Sequence, residues 1–477
     1  MKTCILCFIC FCFSASSFAQ DFRSYKGLIK LPPFPEETKI HLKADINLVD
    51  LINSEDYFEL QRQYELNKGH LVIDIAKTIT EAELDFFRNR RLAFDKSVRN
   101  FINKYQREMG IDFVIVKTRD MIKNLFELGK YKEAYETSDY FLNQIEPVNF
   151  FNKKEVIEEL EYQKNLSKSL MSYSPKQAVF YENDSVEIPL AFNRVGGGYW
   201  MYVNASVNGN ESIPFLFDTG AESNCFIHEK YVKQYNIRLL DSTETTVKDV
   251  LSTMLKAKMG ILDSLSLGNV SIYNIPVIIL PENEELQPTV DNLINVPDSL
   301  KHISQAIIGW KLMETIGEIQ IYPQEQKMVL VKSDSLENRI GNMMLYHGKL
   351  PFIELELNNK RLNFLLDTGS SLTSLYSNYY KDNEEWILKL LNENEGNVRG
   401  IGGSTKMKTF VLPHLYPQLD NIPFDLKNVR IYPDEIRTQV WGCLGVDFIS
   451  QFKKVTLNFK NTHIEVEKER FSRILER

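Results

Sequence analysis

The spacing of apolar residues divides the chain into two parts. From residue 20 to about residue 180, apolar side chains recur every three or four positions and proline and glycine are rare, which predicts amphipathic helices. This spacing is clearest in the stripe Phe86, Phe87, Leu92, Phe94, Val98, Phe101 and Ile102. From about residue 181, short runs alternate between apolar and polar positions and end in turn residues, which predicts strands. We therefore expect an all-helical N-terminal domain followed by a mostly-β remainder.

One short segment of the helical part has a recognisable pattern. The run 128–134, Leu-Gly-Lys-Tyr-Lys-Glu-Ala, resembles the start of the second helix of a tetratricopeptide (TPR) repeat, where Gly makes the turn and Tyr and Ala pack between helices. The match covers one partial unit and predicts a TPR-like helical domain over 20–180. Three roles stay open for this domain: recruiting a protein partner or substrate, lying across a cleft as an inhibitory pro-segment, or acting as scaffold. We favour scaffold, because helical stripes usually form core.

The β-rich part contains the same short motif twice. Phe-Leu-Phe-Asp-Thr-Gly-Ala spans 215–221 and Phe-Leu-Leu-Asp-Thr-Gly-Ser spans 364–370, so Asp218 and Asp367 lie 149 residues apart. Each copy places a carboxyl group at the end of an apolar run, before a hydroxyl residue and a glycine that permits a tight turn. One Asp-Thr-Gly would carry little information. Two copies in equivalent contexts indicate a paired-carboxylate active site.

The segments around the two motifs also recur. An alternating strand and an Asn-containing hairpin turn precede each copy, at 199–210 and 350–360. An apolar-apolar-Gly element and then a strand follow each copy, with the elements at 306–312 and 442–448 and the strands at 317–322 and 454–459. The interval between the copies fits one duplicated lobe and is too long for a solenoid repeat. We predict lobe 1 over 181–334 and lobe 2 over 335–477.

These motifs resemble those of the aspartic peptidases, and among them the retropepsin-like kind. A lobe of that kind has an apolar strand ending in Asp-Thr-Gly-(Ala/Ser) and a later apolar-apolar-Gly element. The resemblance covers roughly residues 185–470 and implies two retropepsin-like β-barrel lobes in one chain, forming a pseudo-dimer. The site residues that it implies are the catalytic dyad Asp218 and Asp367 and the dyad-supporting residues Thr219, Gly220, Thr368 and Gly369.

The resemblance also implies a role for each supporting residue. The two threonines would lock the loops to each other by hydrogen bonds, and the two glycines would allow close approach of the backbone. Two carboxyl groups about 3 Å apart cannot both ionise at low cost, so they share one proton. One group can then take a proton from water while the other gives one to the carbonyl oxygen. We predict an aspartic endopeptidase of peptide or protein substrates, with no metal and no organic cofactor implied and a bell-shaped pH profile on the acid side.

Members of this family close a glycine-rich hairpin flap over the peptide. The segment 397–406 offers such a flap in the second lobe, and we expect Gly400, Gly402 and Gly403 to contact substrate. Its counterpart in the first lobe, at about 246–254, contains no glycine, so the two hairpins should differ in shape. The same glycines superficially resemble a phosphate loop, but no Lys-Ser/Thr pair follows in the required spacing.

A duplicated β domain can also bind peptides without cutting them. In that hypothesis Asp218 and Asp367 only form turns, and the lobes and helices make a non-catalytic peptide-binding or assembly platform.

The sequence gives little support to other classes of hydrolase. The seven histidines are scattered, and the sequence has no His-Glu-x-x-His, no Cys-x-x-Cys and no Gly-x-Ser-x-Gly.

The N-terminus has the pattern of a secretory signal peptide. A positive start at residues 1–3 precedes the apolar run 4–13, and small residues at 17–19 precede Gln20. We predict a signal peptide over 1–19, cleaved after Ala19, and a secreted or periplasmic protein. The apolar run is too short for a membrane-spanning helix, and no later stretch is long and apolar enough, so no membrane span is expected.

Cysteine usage and charge add two smaller expectations. Four of the six cysteines lie in the predicted signal peptide, which leaves Cys225 and Cys443 in apolar stretches of different lobes. We expect two buried thiols and no bridge between them.

The net charge of −8 is spread along the chain, which argues against nucleic acid as a partner. We expect a monomer with an internal pseudo-twofold axis, with a possible protein partner at the helical domain.

Overall fold

The structure is a computed structural model. It describes residues 8–11, 42–150, 152–171, 177–195, 198–248, 254–281, 306–332, 341–346, 349–400, 403–434 and 440–468. The predicted cleavage site after Ala19 lies outside these residues, and so does Gly402 of the predicted flap.

Seven helices follow one another in the N-terminal part, and the described residues from 42 to 171 include no strand. These helices are α1 (Lys43–Ser54), α2 (Tyr57–Asn67), α3 (Asp74–Phe87), α4 (Arg91–Met109), α5 (Ile111–Glu127), α6 (Tyr131–Ile145) and α7 (Lys153–Met171). Among the described residues that follow, the helices are α8 (Lys230–Gln234), α9 (Trp310–Ile316), α10 (Ser377–Leu390) and α11 (Val446–Ile449). The helical character predicted for the N-terminal part is confirmed, whereas its TPR-like class stays a prediction.

The turn at Gly129 separates two of these helices. Gly129 follows the last turn of α5 with φ of 68°, a left-handed conformation that glycine adopts without steric cost. The amide of Lys130 donates to the carbonyl of Leu125 at 2.9 Å, which closes the end of the helix. Ala134 is then fully buried in α6. The run 128–134 therefore makes the helix-turn-helix connection that its residues predict.

The predicted apolar stripe is interrupted between α3 and α4. Because α3 ends at Phe87 and α4 begins at Arg91, the side chains of α4 do not continue the face that the apolar side chains of α3 define. Phe87 and Phe94 are fully buried, in keeping with the stripe. Leu92, however, is 70% exposed. The prediction for Leu92 is wrong because one helical period does not continue across the break.

The other elements are strands. Among the described residues they are β1 (Phe8–Phe11), β2 (Ala178–Tyr181), β3 (Ser185–Pro189), β4 (Ala191–Val195), β5 (Gly198–Val207), β6 (Ser212–Asp218), β7 (Cys225–His228), β8 (Arg238–Lys248), β9 (Met254–Leu267), β10 (Val270–Leu280), β11 (Ala306–Gly309), β12 (Glu318–Tyr322), β13 (Lys327–Val331), β14 (Met343–Tyr346), β15 (Leu350–Leu357), β16 (Lys360–Leu366), β17 (Ser374–Leu375), β18 (Glu393–Gly400), β19 (Gly403–Leu415), β20 (Gln418–Leu419), β21 (Ile422–Pro423), β22 (Leu426–Ile431), β23 (Gly442–Leu444), β24 (Lys454–Asn458) and β25 (His463–Glu467).

Two ten-stranded sheets carry the two motif copies. The first has the order β1-β8-β9-β10-β7-β11-β6-β5-β4, with β2 paired to β10. The second has the order β18-β19-β22-β17-β23-β16-β15-β20-β21, with β14 paired to β15. In each sheet the motif strand, β6 or β16, lies between its hairpin partner and a parallel strand, β11 or β23. The two Asp-Thr-Gly copies therefore occupy equivalent places in their sheets.

The hairpin turns predicted before the motif strands are present. Asn208 and Gly209 begin the connection 208–211 between β5 and β6 with φ of 50° and 73°, and Asn358 and Asn359 join β15 to β16 with φ of 51° and 62°. Positive φ at both central residues is the conformation of a two-residue turn that matches strand twist, and it favours Asn and Gly. These turns fix the register of both motif strands.

A third, five-stranded sheet joins the two halves. Its order is β25-β24-β12-β13-β3. β12 and β24 come from opposite sides of residue 334 and pair antiparallel, with Ile319 opposite Leu457. Both side chains are fully buried. Strands from either side of the predicted lobe boundary thus share one hydrogen-bonded sheet.

The helices pack against both large sheets. Phe87 of α3 belongs to the same apolar cluster as Leu365 of β16, and Leu166 of α7 belongs to the same cluster as Leu216 of β6. Leu365 and Leu216 lie in the motif strands, so the helical part supports the strands that carry both aspartates. The mixture of helices and sheets is confirmed, whereas barrel closure of the lobes and a pseudo-dimer stay predictions.

Candidate active site

The two Asp-Thr-Gly loops meet, and their threonines bond to each other. The amide of Thr219 donates to Oγ1 of Thr368 at 3.0 Å, and the amide of Thr368 donates to Oγ1 of Thr219 at 3.0 Å. Each hydroxyl also donates across the junction, Thr219 to the carbonyl of Leu366 at 2.8 Å and Thr368 to that of Phe217 at 2.6 Å. Both threonines are fully buried. Four hydrogen bonds therefore hold the loops in one relative position.

The carboxyl groups of Asp218 and Asp367 lie side by side beyond this junction. The amide of Gly369 donates to Oδ1 of Asp367 at 3.0 Å and to Oδ1 of Asp218 at 3.2 Å. Because one nitrogen reaches both oxygens, these oxygens are at most 3.0 + 3.2 = 6.2 Å apart. The amide of Gly220 donates to Asp218 at 2.8 Å. The two carboxyl groups also share a hydrogen bond.

The glycines of both motifs provide space. A Cβ on Gly220 would lie closer than 3.0 Å to the Asp367 carboxylate, and a Cβ on Gly369 would lie 2.5 Å from Oδ2 of Asp218. Neither glycine has a positive φ. The turn itself therefore does not require glycine, whereas the close approach of the backbone that the family resemblance implies is present. Glycine is required because each loop passes directly against the opposite carboxylate.

The surroundings of Asp218 favour its protonated form. Burial raises the pKa of its carboxyl group well above the usual range, and the nearby Asp367 raises it further, while the amides of Gly220 and Gly369 lower it. Both aspartates nevertheless stay partly accessible to solvent. A close, coupled pair of this kind retains one proton between its members at mildly acidic pH. The arrangement can therefore supply one proton acceptor and one proton donor to a water molecule.

The apolar-apolar-Gly elements lie directly behind the loops. β11 runs parallel to β6 with Gly309 beside Asp218, and the amide of the following Trp310 donates to the carbonyl of Ala221 at 3.1 Å. In the second half, the amide of Val446 donates to the carbonyl of Ser370 at 2.9 Å. These contacts are equivalent in the two halves. The elements support the loops, as the sequence predicts.

The two hairpins predicted as flaps are present in the described residues up to their tips. β18 and β19 form a long hairpin in which Gly400 pairs with Gly403. In the first half, β8 and β9 form the corresponding hairpin, and Lys248 pairs with Met254. Contact between these hairpins and a substrate stays a prediction, as does the role of Gly402.

One supporting residue was missed from the sequence. Oδ1 of Asp447 accepts from the amide and the hydroxyl of Thr373, both at 2.8 Å, and from the amide of Phe448 at 3.0 Å. Burial raises the pKa of the Asp447 carboxyl group, although these hydrogen bonds lower it. Thr373 lies six residues after Asp367, so Asp447 ties the end of the second Asp-Thr-Gly loop to helix α11. An Asp directly after an apolar-apolar-Gly-apolar run is the only sequence signal for it.

The predictions about thiols are confirmed. Cys225 and Cys443 are free and buried, and burial raises the pKa of the Cys225 thiol.

In the described part of the chain, no group of three or more His, Cys, Asp or Glu side chains is arranged to hold a metal ion. Across the same residues, none of the helices has the length and apolar character needed to cross a membrane.

Comparison with known proteins places part of the chain in a known group. Residues 203–297 match the family model described as Aspartyl protease. This match includes the first Asp-Thr-Gly, and the chain therefore contains an aspartic-protease-like domain. A search of curated proteins finds no match.

Two solved structures are similar over part of the chain. The crystal structure of basic 7S globulin from soybean has 8% identity and a TM-score of 0.34, covering 60% of this chain and 95% of its own. A retropepsin-like aspartic protease from Rickettsia conorii has 21% identity and a TM-score of 0.21, covering 33% of this chain and 96% of its own. Both scores are low, so the conclusions below rest on the site itself.

Proposed function

We propose that this protein is a secreted aspartic endopeptidase in which Asp218 and Asp367 together activate a water molecule. The observation that carries the proposal is the Gly369 amide, which lies within hydrogen-bond distance of both carboxyl groups. Such a contact requires a close carboxyl pair, and the mutual threonine hydrogen bonds hold that pair in place. The aspartyl protease match at 203–297 supports the same class of enzyme.

The proposed reaction uses the pair as acid and base at once. The ionised aspartate takes a proton from water as the water oxygen attacks the peptide carbonyl carbon, and the protonated aspartate gives its proton to the carbonyl oxygen. The aspartate that took the proton from water then gives it to the amide nitrogen, and the C–N bond of the gem-diol breaks. The other aspartate, now ionised, takes a proton from one gem-diol hydroxyl as the carbonyl of the new carboxyl group forms, so the pair again holds one proton. No nucleophilic side chain forms a covalent intermediate, so the roles of Asp218 and Asp367 alternate.

Substitution of each aspartate tests this function. Asp218→Asn and Asp367→Asn should each lower kcat for a cleaved peptide by at least the 10²–10⁴-fold that general acid–base catalysis typically contributes, because neither variant has a carboxyl pair that can share a proton. A statine-type transition-state mimic should inhibit the wild-type protein. Asp184→Asn, at an exposed position, is the matched control and should leave the rate unchanged. Unchanged cleavage by either active-site variant would overturn the proposal.

A pH series on the wild-type protein separates catalysis from simple peptide binding. If the protein is instead a binding or assembly platform, peptides will bind to the wild-type chain but no product will form between pH 3 and pH 8. Cleavage that falls as pH rises through the raised pKa of Asp218 supports the endopeptidase, because the shared proton is lost in that range.

Export of the protein is part of the proposal. The N-terminal pattern predicts removal of residues 1–19, which would also remove the short strand β1 that pairs with β8. N-terminal sequencing of the protein recovered outside the cytoplasm should therefore begin at Gln20. Recovery of an exported chain that still carries Met1 would contradict this part of the proposal.

A further inference from the structure

A short helix lies behind the Asp-Thr-Gly loop of each half. Helix α9 directly follows Gly309, and helix α11 directly follows Gly445. The amide of Gly309 donates to the carbonyl of Asn224 at 2.9 Å, and the amide of Gly445 donates to the hydroxyl of Thr373 at 3.3 Å. Asn224 and Thr373 each lie six residues after the aspartate of their own loop. The positions of α9 and α11 are therefore equivalent.

The second residue of each helix makes a different contact. In α11 it is Asp447, which accepts from the end of its own Asp-Thr-Gly loop. In α9 it is Lys311, which forms an ion pair with Glu127 at the end of α5. The side chain of Asn224 accepts from Gln177 at 3.1 Å. The second half thus fixes its helix to its own loop, whereas the first half fixes its helix to the helical part.

A further contact between α9 and the helical part lies one turn along the helix. The carboxylate of Glu314 accepts from Asn89 at 2.9 Å and forms an ion pair with Arg91 of α4 at 2.6 Å. The equivalent position at the end of α11 is Ser450, whose hydroxyl donates to the carbonyl of Val446 at 2.9 Å. The helical part therefore holds α9 at two positions.

Helix α9 in turn lies directly against the loop of Asp218. A Cβ on Gly309 would lie closer than 3.0 Å to the carbonyl oxygens of Ala221 and Ser223. The amide of Trp310 donates to the carbonyl of Ala221 at 3.1 Å, and the Trp310 side chain is fully buried. Because close-packed interiors transmit displacement, a shift of α9 should also move Asp218.

The ion pair between Glu127 and Lys311 is suited to hold α9 in place. The two side chains are 25% and 22% exposed, so solvent screens only part of their attraction. Burial raises the pKa of the Glu127 carboxyl group, but Lys311 and Arg91 lower it, and the pKa lies below its usual value. The ion pair therefore persists at the mildly acidic pH at which the two aspartates hold one proton.

We propose that Glu127 and Lys311 are positioning residues for the Asp218 loop. In the first half, their contact takes the place of the bond between Asp447 and Thr373 in the second. The proposal rests on the proposed endopeptidase function and gives the helical part a role in it, because docking of the helices then sets the distance between the two carboxyl groups.

An uncoupled variant, Glu127→Gln with Lys311→Met, tests the proposal. It removes one negative and one positive charge together, so neither is left without its partner. Its kcat should fall by about two- to fivefold, the range for a partly exposed ion pair, while KM stays unchanged. The matched control is Glu467→Gln with Lys454→Met, which removes an ion pair between β24 and β25 and should keep the wild-type kcat. Wild-type kcat in the uncoupled variant would overturn the proposal.

The pH profile distinguishes positioning from a loss of stability. Burial and the nearby Asp367 raise the pKa of Asp218, and both effects weaken when the loop moves away. The alkaline limb of the kcat profile should therefore move to lower pH in the uncoupled variant. Reduced stability alone would not move it. An alkaline limb at the wild-type pH would show that the carboxyl pair does not depend on this contact.

A rebuilt variant tests whether the two halves use equivalent contacts. Lys311→Asp and Asn224→Thr, combined with Glu127→Gln, place in the first half the side chains that Asp447 and Thr373 provide in the second. This variant should return kcat to the wild-type value, even if the uncoupled variant does not fold. Circular dichroism and thermal unfolding establish which variants are folded. A rebuilt protein that is unfolded, or that keeps the reduced kcat, would contradict the equivalence.

Amide hydrogen exchange separates this inference from the proposed function, because it needs no substrate. Exchange of residues 216–222, relative to strand β12 of the same protein, should be about two- to fivefold faster in the uncoupled variant than in the wild-type protein and the control. If the wild-type protein cleaves no peptide, the endopeptidase proposal fails, and this measurement still decides whether the contact holds the loop. Equal relative exchange in all three proteins would refute the inference.

Discussion

Single residues in the two Asp-Thr-Gly loops are constrained by the space between two chain segments. Gly220 lies against the Asp367 carboxylate and Gly369 lies against that of Asp218. A methyl group at either position would separate the loops or turn a carboxyl group away from its partner. The motif in the sequence contains both glycines, but the group that excludes a larger side chain at each of them belongs to the opposite half of the molecule.

We expect Gly220→Ala and Gly369→Ala to abolish peptide cleavage while the protein stays folded. The added Cβ would lie closer than 3.0 Å to the opposite carboxylate in both variants, so the pair cannot keep its geometry. Activity and circular dichroism measure the two effects. Gly69→Ala is the control, because no atom lies within 4 Å of its Cβ position. Cleavage at the wild-type rate by either active-site variant would show that the close approach is unnecessary.

A buried charge cluster in the helical part is a second feature at this scale. Glu83 of α3 is fully buried, 2.5 Å from Nζ of Lys117, and Asp120 lies 3.1 Å from the same nitrogen. Burial raises the pKa of Glu83 to about 7, and Asp120 and Glu55 raise it while Lys117 lowers it. Tyr57 and Tyr346 complete the surroundings, and Tyr346 donates to Glu55 at 2.7 Å.

This cluster should make stability depend on pH. Because the folded pKa of Glu83 is raised, its contribution to stability is full below about pH 4.5 and declines as pH rises through 7. The free energy of unfolding should fall by at most about 3 kcal/mol over that range. Glu83→Gln should flatten this slope in urea unfolding measured at several pH values. Glu136→Gln, on an exposed helix face, should keep it, and equal slopes in all three proteins would contradict the prediction.

Elements from the two halves are connected in two layers. The outer layer is the five-stranded sheet, in which β12 pairs with β24. The inner layer is the pair of threonines at the ends of β6 and β16. Buried hydrogen bonds of this kind contribute modestly when made and cost more when one partner is lost. The inner layer should therefore be sensitive to loss of a single hydroxyl group.

Thr368→Val should destabilise the protein and lower activity, whereas Thr368→Ser should keep most of both. The valine variant leaves the amide of Thr219 without its acceptor and the carbonyl of Phe217 without its donor. Each buried group left unsatisfied costs about 1–3 kcal/mol. Urea unfolding and peptide cleavage measure the two losses. Equal stability of the valine and serine variants would show that the hydroxyl does not hold the loops.

At the scale of the whole molecule, the helical part is built into the core of the protein. α3 and α4 pack against the second large sheet, and α7 packs against the first. Apolar side chains of both sheets, such as Phe352 and Phe226, are buried in these shared clusters. Removing the helices would expose this surface to water, which is unfavourable in proportion to the apolar area.

A chain that starts at Gln177 should therefore be insoluble or unfolded and should not cleave peptides faster than the full protein. A chain that starts at Leu42 keeps all the described helices and should fold and cleave as the full protein does. Solubility, circular dichroism and kcat/KM are compared for the three proteins. A soluble, more active Gln177 chain would instead identify the helices as an inhibitory pro-segment.

Much of the organisation could be predicted from local pattern. The hairpin turns at Asn208 and Asn358 and the motif strands follow from residues adjacent in sequence. Leu92 was mispredicted because the break between α3 and α4 depends on where chain segments pack. Helix α10 was not predicted, and neither was the bond between Asp447 and Thr373, which joins residues 74 positions apart.

The sequence by itself determined the helical and strand-rich halves, the hairpins before the motif strands, the two carboxyl groups and the glycines beside them, because turns, periodicity and motif chemistry are local properties. The family resemblance implied that the threonines lock the loops and that the glycines allow close approach, and only the tertiary structure decided which atoms meet at these positions. It also decided that helix α3 packs against the second motif strand, with Phe87 and Leu365 in one buried cluster. These features depend on distances between segments 90 or more residues apart, and no local pattern encodes such distances.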